Sequence, residues 1–493
     1  MYTIYPKLSF LQEVQQQKAY THYPIVLELL ADIKTPLEVL KLLKEQNKSC
    51  FLLESVLSKE QWGRYTFLGF DPLLEITGLN GTIYENNQVI EQRCPKAYLR
   101  HLLLQYQVPK LPSLPPFTGG LVGYFSYDYF KYAEPKLNLD AANPEMLNDF
   151  NLMLFTKVIC FDHVKQKIYL IANVRLAKLN EDYPKICQEL KSLAELLTKH
   201  YAKTPYTGTL LSPLKVRFDY ESFSQMVQKA KNYILEGDIF QVVLANCFSA
   251  EFSGSLLDTY RQLRLLNPSP YLFYLQTQDL EIIGASPETL VKVEKETIYT
   301  YPLAGTRPRG KDLQQDLAFE KELLQDEKEL AEHNMLVDLG RNDLGKVCQF
   351  GTVEVEKYLA IERFSHVMHI GSTICGILQT DKDALDTVDA ILPAGTLSGA
   401  PKFRACEIIN ELEQQKRGIY GGAIGYIDFS GNLDLCIAIR IIYQKNQQIF
   451  IQSGAGIVAD SIATKEYQEC INKAKATIQA LKLAGGDHDD FIN

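Results

Sequence analysis

Leu74-Glu75-Ile76-Thr77-Gly78-Leu79-Asn80-Gly81-Thr82-Ile83-Tyr84 carries the strongest short-range fold signal in the chain. Two β-rich runs flank Asn80-Gly81, a pair that accepts the left-handed backbone a tight hairpin turn needs. The same grammar recurs downstream. Asp428-Phe429-Ser430-Gly431-Asn432 and Lys445-Asn446-Gln447 each separate β-rich segments, and the runs Leu152–Cys160 and Ile168–Val174 are joined by the polar stretch 162–167. Strands adjacent in sequence and linked by short turns predict antiparallel sheets, not alternating βαβ units.

Helical periodicity predicts helices over Lys185–Tyr201, Ser222–Glu236, Gln314–Leu339 and Thr464–Leu481. Gly237 is a natural stop for the second. The segment Thr204-Pro205-Tyr206-Thr207-Gly208-Thr209, followed by Pro213, reads as a linker. It divides an N-terminal region, 1–205, from a C-terminal region, 215–485, and leaves 486–493 as an acidic frayed tail.

The 493 residues are enough for several domains or one large interlocked one. Apolar residues at 46% and charged ones at 23% describe an ordinary globular protein. A net charge of −9 with no basic run argues against a nucleic-acid partner. No apolar run reaches membrane-spanning length and no signal-peptide pattern opens the chain. The ten cysteines form no Cys-x-x-Cys pair and read as small core residues of a reducing compartment, so the expected location is cytoplasmic.

Two carboxylate pairs stand at helical spacing. Glu329 and Glu332 share one face, and Glu466 and Glu469 repeat the arrangement with Lys473 a turn further on. Spacing alone fits solvated helix surfaces as well as a Mg²⁺ site, since Mg²⁺ takes one or two carboxylates plus water and anionic substrate oxygens. Ser453-Gly454-Ala455-Gly456 follows a β-rich run and reads either as a tight turn or as a backbone cradle for a carboxylate. Arg440 lies in the apolar run Leu435–Tyr443, where its guanidinium needs a carboxylate from the protein or from a ligand. His369, flanked by apolar residues, is either a core histidine or a proton carrier. Gly395–Lys402 fails the phosphate-loop pattern and reads as a turn opening a helix near Pro401.

Taken together, the segments Ile239–Leu244, Gly284–Glu288, Ala304–Gly310, Glu332–Asp343, Gly395–Lys402 and Arg417–Gly425 resemble the chorismate-binding enzymes. Within that family the chain is most similar to the large subunits, component I, of anthranilate synthases. The resemblance spans nearly the whole chain. It implies an α+β fold in which two large antiparallel sheets pack as a sandwich with helices outside. It implies Mg²⁺ held by Glu332 and Glu469, with Glu329 and Glu466 in support, and chorismate bound by Gly305, Thr306, Thr396, Tyr420, Arg440, Gly454, Ala455 and Gly456. Glu288 becomes the general acid for the departing C4 hydroxyl, His369 assists later proton removal, and Lys473 adds positive charge.

Two positions sort the family. Water-adding members carry lysine where Gln241 stands, and aminodeoxychorismate synthase carries a lysine nucleophile where Ala304 stands. A neutral amide and a methyl group favour ammonia as the nucleophile and anthranilate as the product. The chain departs from the usual pattern at Ala245-Asn246-Cys247 and at Gly371-Ser372-Thr373. The resemblance also implies feedback inhibition by L-tryptophan at Ser55, Pro270, Tyr271 and Leu272. It further implies a separate glutamine amidotransferase small subunit, in a heterotetramer of two large and two small subunits. The alternatives are an aminodeoxychorismate synthase component or a non-catalytic tryptophan sensor.

Overall fold

Strand pairing extends through two large sheets, and among the described residues every strand-to-strand pair in them is antiparallel. The computed structural model describes residues 3–46, 49–55, 63–199, 206–364 and 367–485. The tail expected to fray, 486–493, and part of the expected linker lie outside them. Among the described residues the first sheet has 14 strands and the second 12.

Both sheets are built from the two ends of the chain. In the first, Cys50–Glu54 pairs with Tyr271–Gln276; in the second, Gly120–Phe125 pairs with Ala423–Asp428. The strand Lys167–Arg175 shows how sequence dictates layering. Tyr169 and Ile171 point between the sheets, while Ile168, Leu170, Ala172 and Val174 face the outer helices, as the two-residue side-chain period requires. Aromatic rings fill the space between the layers. Phe51 meets Phe155 at 4.8 Å and Phe67 meets Tyr426 at 6.0 Å between ring centroids, each pair spanning the two sheets. The helices Leu179–Thr198, Leu257–Leu266 and Ala463–Gly485 cover the outside of the first sheet, and Glu327–Gly345 lies on the second. No helix among the described residues is long and apolar enough to cross a membrane.

The hairpin at Asn80-Gly81 forms as expected, with φ of 50° and 83° at the two turn residues and Leu79 opposite Thr82. The turns at 428–432 and 445–447 also close hairpins. The helix Tyr220–Leu235 is capped by Asp219, which accepts from Ser222 N–H, and Gly237 follows it at φ 86°.

Three stretches fold differently from the sequence reading. Leu152–Cys160 is not one strand: Phe150–Phe155 belongs to the second sheet and Lys157–Asp162 to the first. The crossing at Thr156 is held by Asn173, whose backbone N–H and side-chain amide both donate to the Thr156 carbonyl. Leu435–Tyr443 splits in the same way into Leu433–Ile437 and Ile441–Lys445, with Arg440 at φ 55° in the crossing. An unbroken apolar run conceals such a crossing because both flanking strands are buried. Gln314–Leu339 breaks into Leu313–Leu323 and Glu327–Gly345, the second helix started by Asp326 accepting from the N–H groups of Lys328 and Glu329.

Candidate active site

The crossing at Arg440 places a guanidinium at one end of the sandwich. Non-glycine residues hold left-handed backbone at a cost of roughly 1–3 kcal/mol, so the position is over-determined by its surroundings. Burial pushes Arg440 below its ordinary pKa, countered by Tyr420, Glu469 and Glu288. Among the described residues its side chain makes no hydrogen bond or ion pair. The sequence left open whether a protein carboxylate would neutralise it; none bonds to it, and the charge is left available to a ligand anion.

Glu288 stands opposite, half-buried, accepting a 3.1 Å hydrogen bond from the Thr396 hydroxyl. Burial raises its pKa from about 4.5 to about 7, while Thr396, Lys473 and Arg440 act in the other direction. A carboxyl poised there holds a proton at neutral pH and can release it, as general-acid work demands.

Ser453–Gly456 is neither a turn nor a bulge but the end of the strand Gln448–Ile457, paired with Gln241–Gly254. Opposite Gly456, Val243 N–H donates to the Ser398 carbonyl, and opposite Gly454, Ala245 N–H donates to Glu413. Those bonds mark Gly454 and Gly456 as residues whose backbone groups point away from the neighbouring strand. On that open side Lys473 Nζ donates to the Gly454 carbonyl at 3.0 Å and pairs with Glu469 at 2.6 Å. Side chains are absent where space is needed. A methyl on Gly454 would lie 3.1 Å from the Tyr420 hydroxyl, and one on Gly456 would lie 2.8 Å from the Gln241 amide nitrogen.

Gly305 (φ 65°) and Thr306 form a bulge between Ala304 and Arg307 in the edge strand Leu303–Pro308. His369 Nδ1 lies 2.8 Å from the Gly305 carbonyl and 3.1 Å from the Thr306 hydroxyl. A carbonyl only accepts, so Nδ1 carries the proton and Nε2 keeps its lone pair. Burial, with Arg440, lowers the pKa of this imidazole, leaving it a neutral base.

The acidic pairs frame the same rim. A methyl on Gly305 would stand 3.2 Å from Glu329 Oε2, so that helix packs close against the bulge. Lys328 acts on Glu466 and Glu469 acts on Arg440, so the first turns of the two acidic helices share one neighbourhood. Glu329 is raised by burial and by Glu332, and Glu466 by burial and by Glu469. Neither Glu329 nor Glu332 has a side-chain hydrogen bond or ion pair among the described residues. Half-buried, mutually repelling carboxylates are the oxygen donors a hard divalent cation takes. No three His, Cys, Asp or Glu side chains among the described residues already form a metal cage, and Mg²⁺, which keeps water and substrate oxygens as ligands, does not need one.

A cavity of about 600 Å³ opens between the sheets. Its walls include Ser55, Pro270, Tyr271 and Leu272, the four positions expected to contact an amino-acid effector, together with Leu53 and Tyr426. Several charges beside it are matched within the protein. Glu54 accepts from Tyr260 at 2.6 Å and from Arg264 at 2.9 Å.

Sequence reasoning missed the groups behind the site. Arg417, only 2% exposed, pairs with Glu413, donates to the carbonyls of Val243 and Leu397, and stacks 4.6 Å from the Tyr127 ring. It thereby fixes the Gln241 strand, the Thr396 turn and the approach to Tyr420. The sequence signals were the spacing of Glu413 and Arg417 by four and the place of Arg417 at the head of the family-like segment Arg417–Gly425, and neither says what the guanidinium holds. The two departures from family pattern also acquire roles. Asn246 clamps the Phe218 backbone through N–H and carbonyl, and Ser372 meets buried His333 at 2.7 Å, tying the Glu332 helix to the Val367–Ile377 strand.

Comparison with known proteins defines the class: the chain belongs to the chorismate-binding enzymes, whose family profile matches residues 48–479. Within that class it is similar to anthranilate synthase component 1 of Acetivibrio thermocellus, 43% identical over 488 residues covering 95% of this chain and 97% of that one. The Aquifex aeolicus component 1 is 43% identical over 486 residues, covering 96% and 98%. The crystal structure of anthranilate synthase component I from Streptococcus pneumoniae superposes with a TM-score of 0.76 at 39% identity, covering 91% of this chain and 98% of that one.

Proposed function

We propose that this chain is the large subunit of an anthranilate synthase, converting chorismate and ammonia to anthranilate, pyruvate and water through aminodeoxyisochorismate. The observation that carries the reading is Glu288, a carboxyl raised to about 7, facing an unpaired Arg440 and the open backbone of Gly454 and Gly456. That combination offers a proton beside a pocket for carboxylates.

Arg440 and the Gly454 and Gly456 amides bind and orient the substrate carboxylates, with Tyr420 and Thr306 setting the ring between them. Glu288 gives its proton to the C4 hydroxyl as the C–O bond breaks, and Thr396 then stabilises the carboxylate left behind. Ammonia adds at C2 beside Gln241, whose neutral amide can orient the nucleophile without deprotonating it. His369 Nε2 takes the C2 proton as pyruvate leaves and the ring becomes aromatic. Glu332 and Glu469, supported by Glu329 and Glu466, would hold Mg²⁺. The ion would supply Lewis-acid stabilisation of the ring carboxylate.

The reading places the enzyme among the lyases and in the cytoplasm. A glutamine amidotransferase small subunit would supply the ammonia, in an assembly of two large and two small subunits. The inter-sheet cavity would take L-tryptophan as feedback inhibitor. Incubating the purified chain with chorismate, ammonium and Mg²⁺ should yield fluorescent anthranilate, and chelation should abolish it. Failure to form anthranilate under those conditions sinks the assignment. An aminodeoxychorismate product would favour the alternative that Ala304 argues against.

A further inference from the structure

The Tyr271 hydroxyl joins the two sheets at the wall of the inter-sheet cavity. Tyr271 begins a strand of the first sheet, while Thr289 and Asp434 lie in paired strands of the second. Its oxygen stands 2.9 Å from Thr289 Oγ1 and 2.8 Å from Asp434 Oδ1. A carboxylate accepts, so the phenol donates to Asp434 and the Thr289 hydroxyl donates to the phenol. The result is a directed chain across the gap between the layers.

Both ends of that chain lead to the catalytic rim. Thr289 follows Glu288 directly, at a register shift where its strand departs from regular pairing. The Glu288 carbonyl accepts from Ile437 N–H at 3.0 Å, and Ser286 Oγ donates to the Ile437 carbonyl at 2.7 Å. Asp434 stands in the strand that ends at Ile437 and runs into the Arg440 crossing. A change in sheet separation at Tyr271 therefore acts on the residue beside the acid and on the strand leading to the guanidinium.

We infer that Thr289 is a positioning residue for Glu288, held in place across the sandwich by the Tyr271 hydroxyl, and that a ligand in the inter-sheet cavity acts on catalysis by altering this contact. The inference rests on the proposed roles of Glu288 as acid and of the cavity as the tryptophan site. It adds which residues set the acid and couple the two places.

Thr289→Val keeps the shape and removes the hydroxyl; Tyr271→Phe removes the other half; Thr289→Ser restores the donor. With the full-length chain, chorismate and ammonium, the first two variants should lose roughly tenfold to a hundredfold in kcat with KM within about twofold. The alkaline limb of their pH profile should move to lower pH as water reaches Glu288. Thr289→Ser should behave as wild type. Calorimetry should show tryptophan still binding Thr289→Val while inhibition weakens several-fold. A folded Thr289→Val with wild-type kcat, pH profile and inhibition overturns the inference. So does parallel loss of tryptophan binding and inhibition, which would make Thr289 part of the effector site instead. If the wild type binds no tryptophan, the coupling half falls and the kinetic arm alone judges positioning. Full activity in Glu288→Gln would instead overturn the acid assignment itself.

Discussion

The catalytic rim and the inter-sheet cavity are both lined with charge, and they treat it in opposite ways. Around the cavity, the buried carboxylates are satisfied within the protein: Glu54 by Arg264 and Tyr260, and Asp434 by Tyr271. At the rim, Arg440, Glu329 and Glu332 make no side-chain hydrogen bond or ion pair among the described residues, and the backbone of Gly454 and Gly456 turns away from its neighbouring strand. A cavity whose buried carboxylates are already satisfied loses little when vacant. A rim of unmet charge demands ions and is where chemistry can be driven.

The contrast is sharpest at Glu288. Glu288→Gln should lower kcat by about 10²–10⁴-fold in anthranilate fluorescence assays while tryptophan affinity stays unchanged. A variant that loses both would mean the two regions are one. Next, Arg440→Gln should raise KM for chorismate by roughly tenfold to a hundredfold, the worth of a charge-assisted hydrogen bond of ~1.5–3 kcal/mol. Leu53→Trp, which places an indole in the cavity, should weaken tryptophan inhibition by at least roughly tenfold, or ~1.4 kcal/mol.

The smallest effect concerns pH. With Glu288 in the proposed role of general acid its protonated form is the active one, so kcat/KM should fall as pH rises through about 7. Stability carries the matching sign. A carboxyl raised in the folded state stabilises the fold below its ordinary pKa near 4.5, and that contribution is lost as pH rises through about 7. Glu288→Gln should therefore melt a few degrees above wild type at pH 8 and level with it at pH 4. Equal melting at both would mean that the acid is not held in a desolvated place.

The sheets were legible because their turns carry local chemistry: Asn80-Gly81 and Asn446-Gln447 adopt the left-handed backbone that two-residue hairpins require. Crossings between the layers were not. Thr156 and Arg440 sit in apolar runs that stay buried on both sides, so nothing local separates the end of one strand from the start of the next. At the site, spacing alone put the glutamates in pairs, but bringing two helices 137 residues apart (Glu329 to Glu466) to one rim is a property of the whole sandwich. The roles of Arg417 and Ser372 were hidden for a related reason, although both positions stand in segments that the sequence singled out. Each works by holding backbone or a buried ring that lies far away in sequence.

The pairing of Cys50–Glu54 with Tyr271–Gln276, and of Gly120–Phe125 with Ala423–Asp428, has a consequence for how the molecule comes into being. During translation the early strands emerge with their ladder groups unsatisfied and must wait for partners made hundreds of residues later. A nascent chain halted near the linker would present two open sheet edges, ready templates for aggregation. The segment between the two halves thus marks a boundary in sequence without marking a place where the protein can be cut.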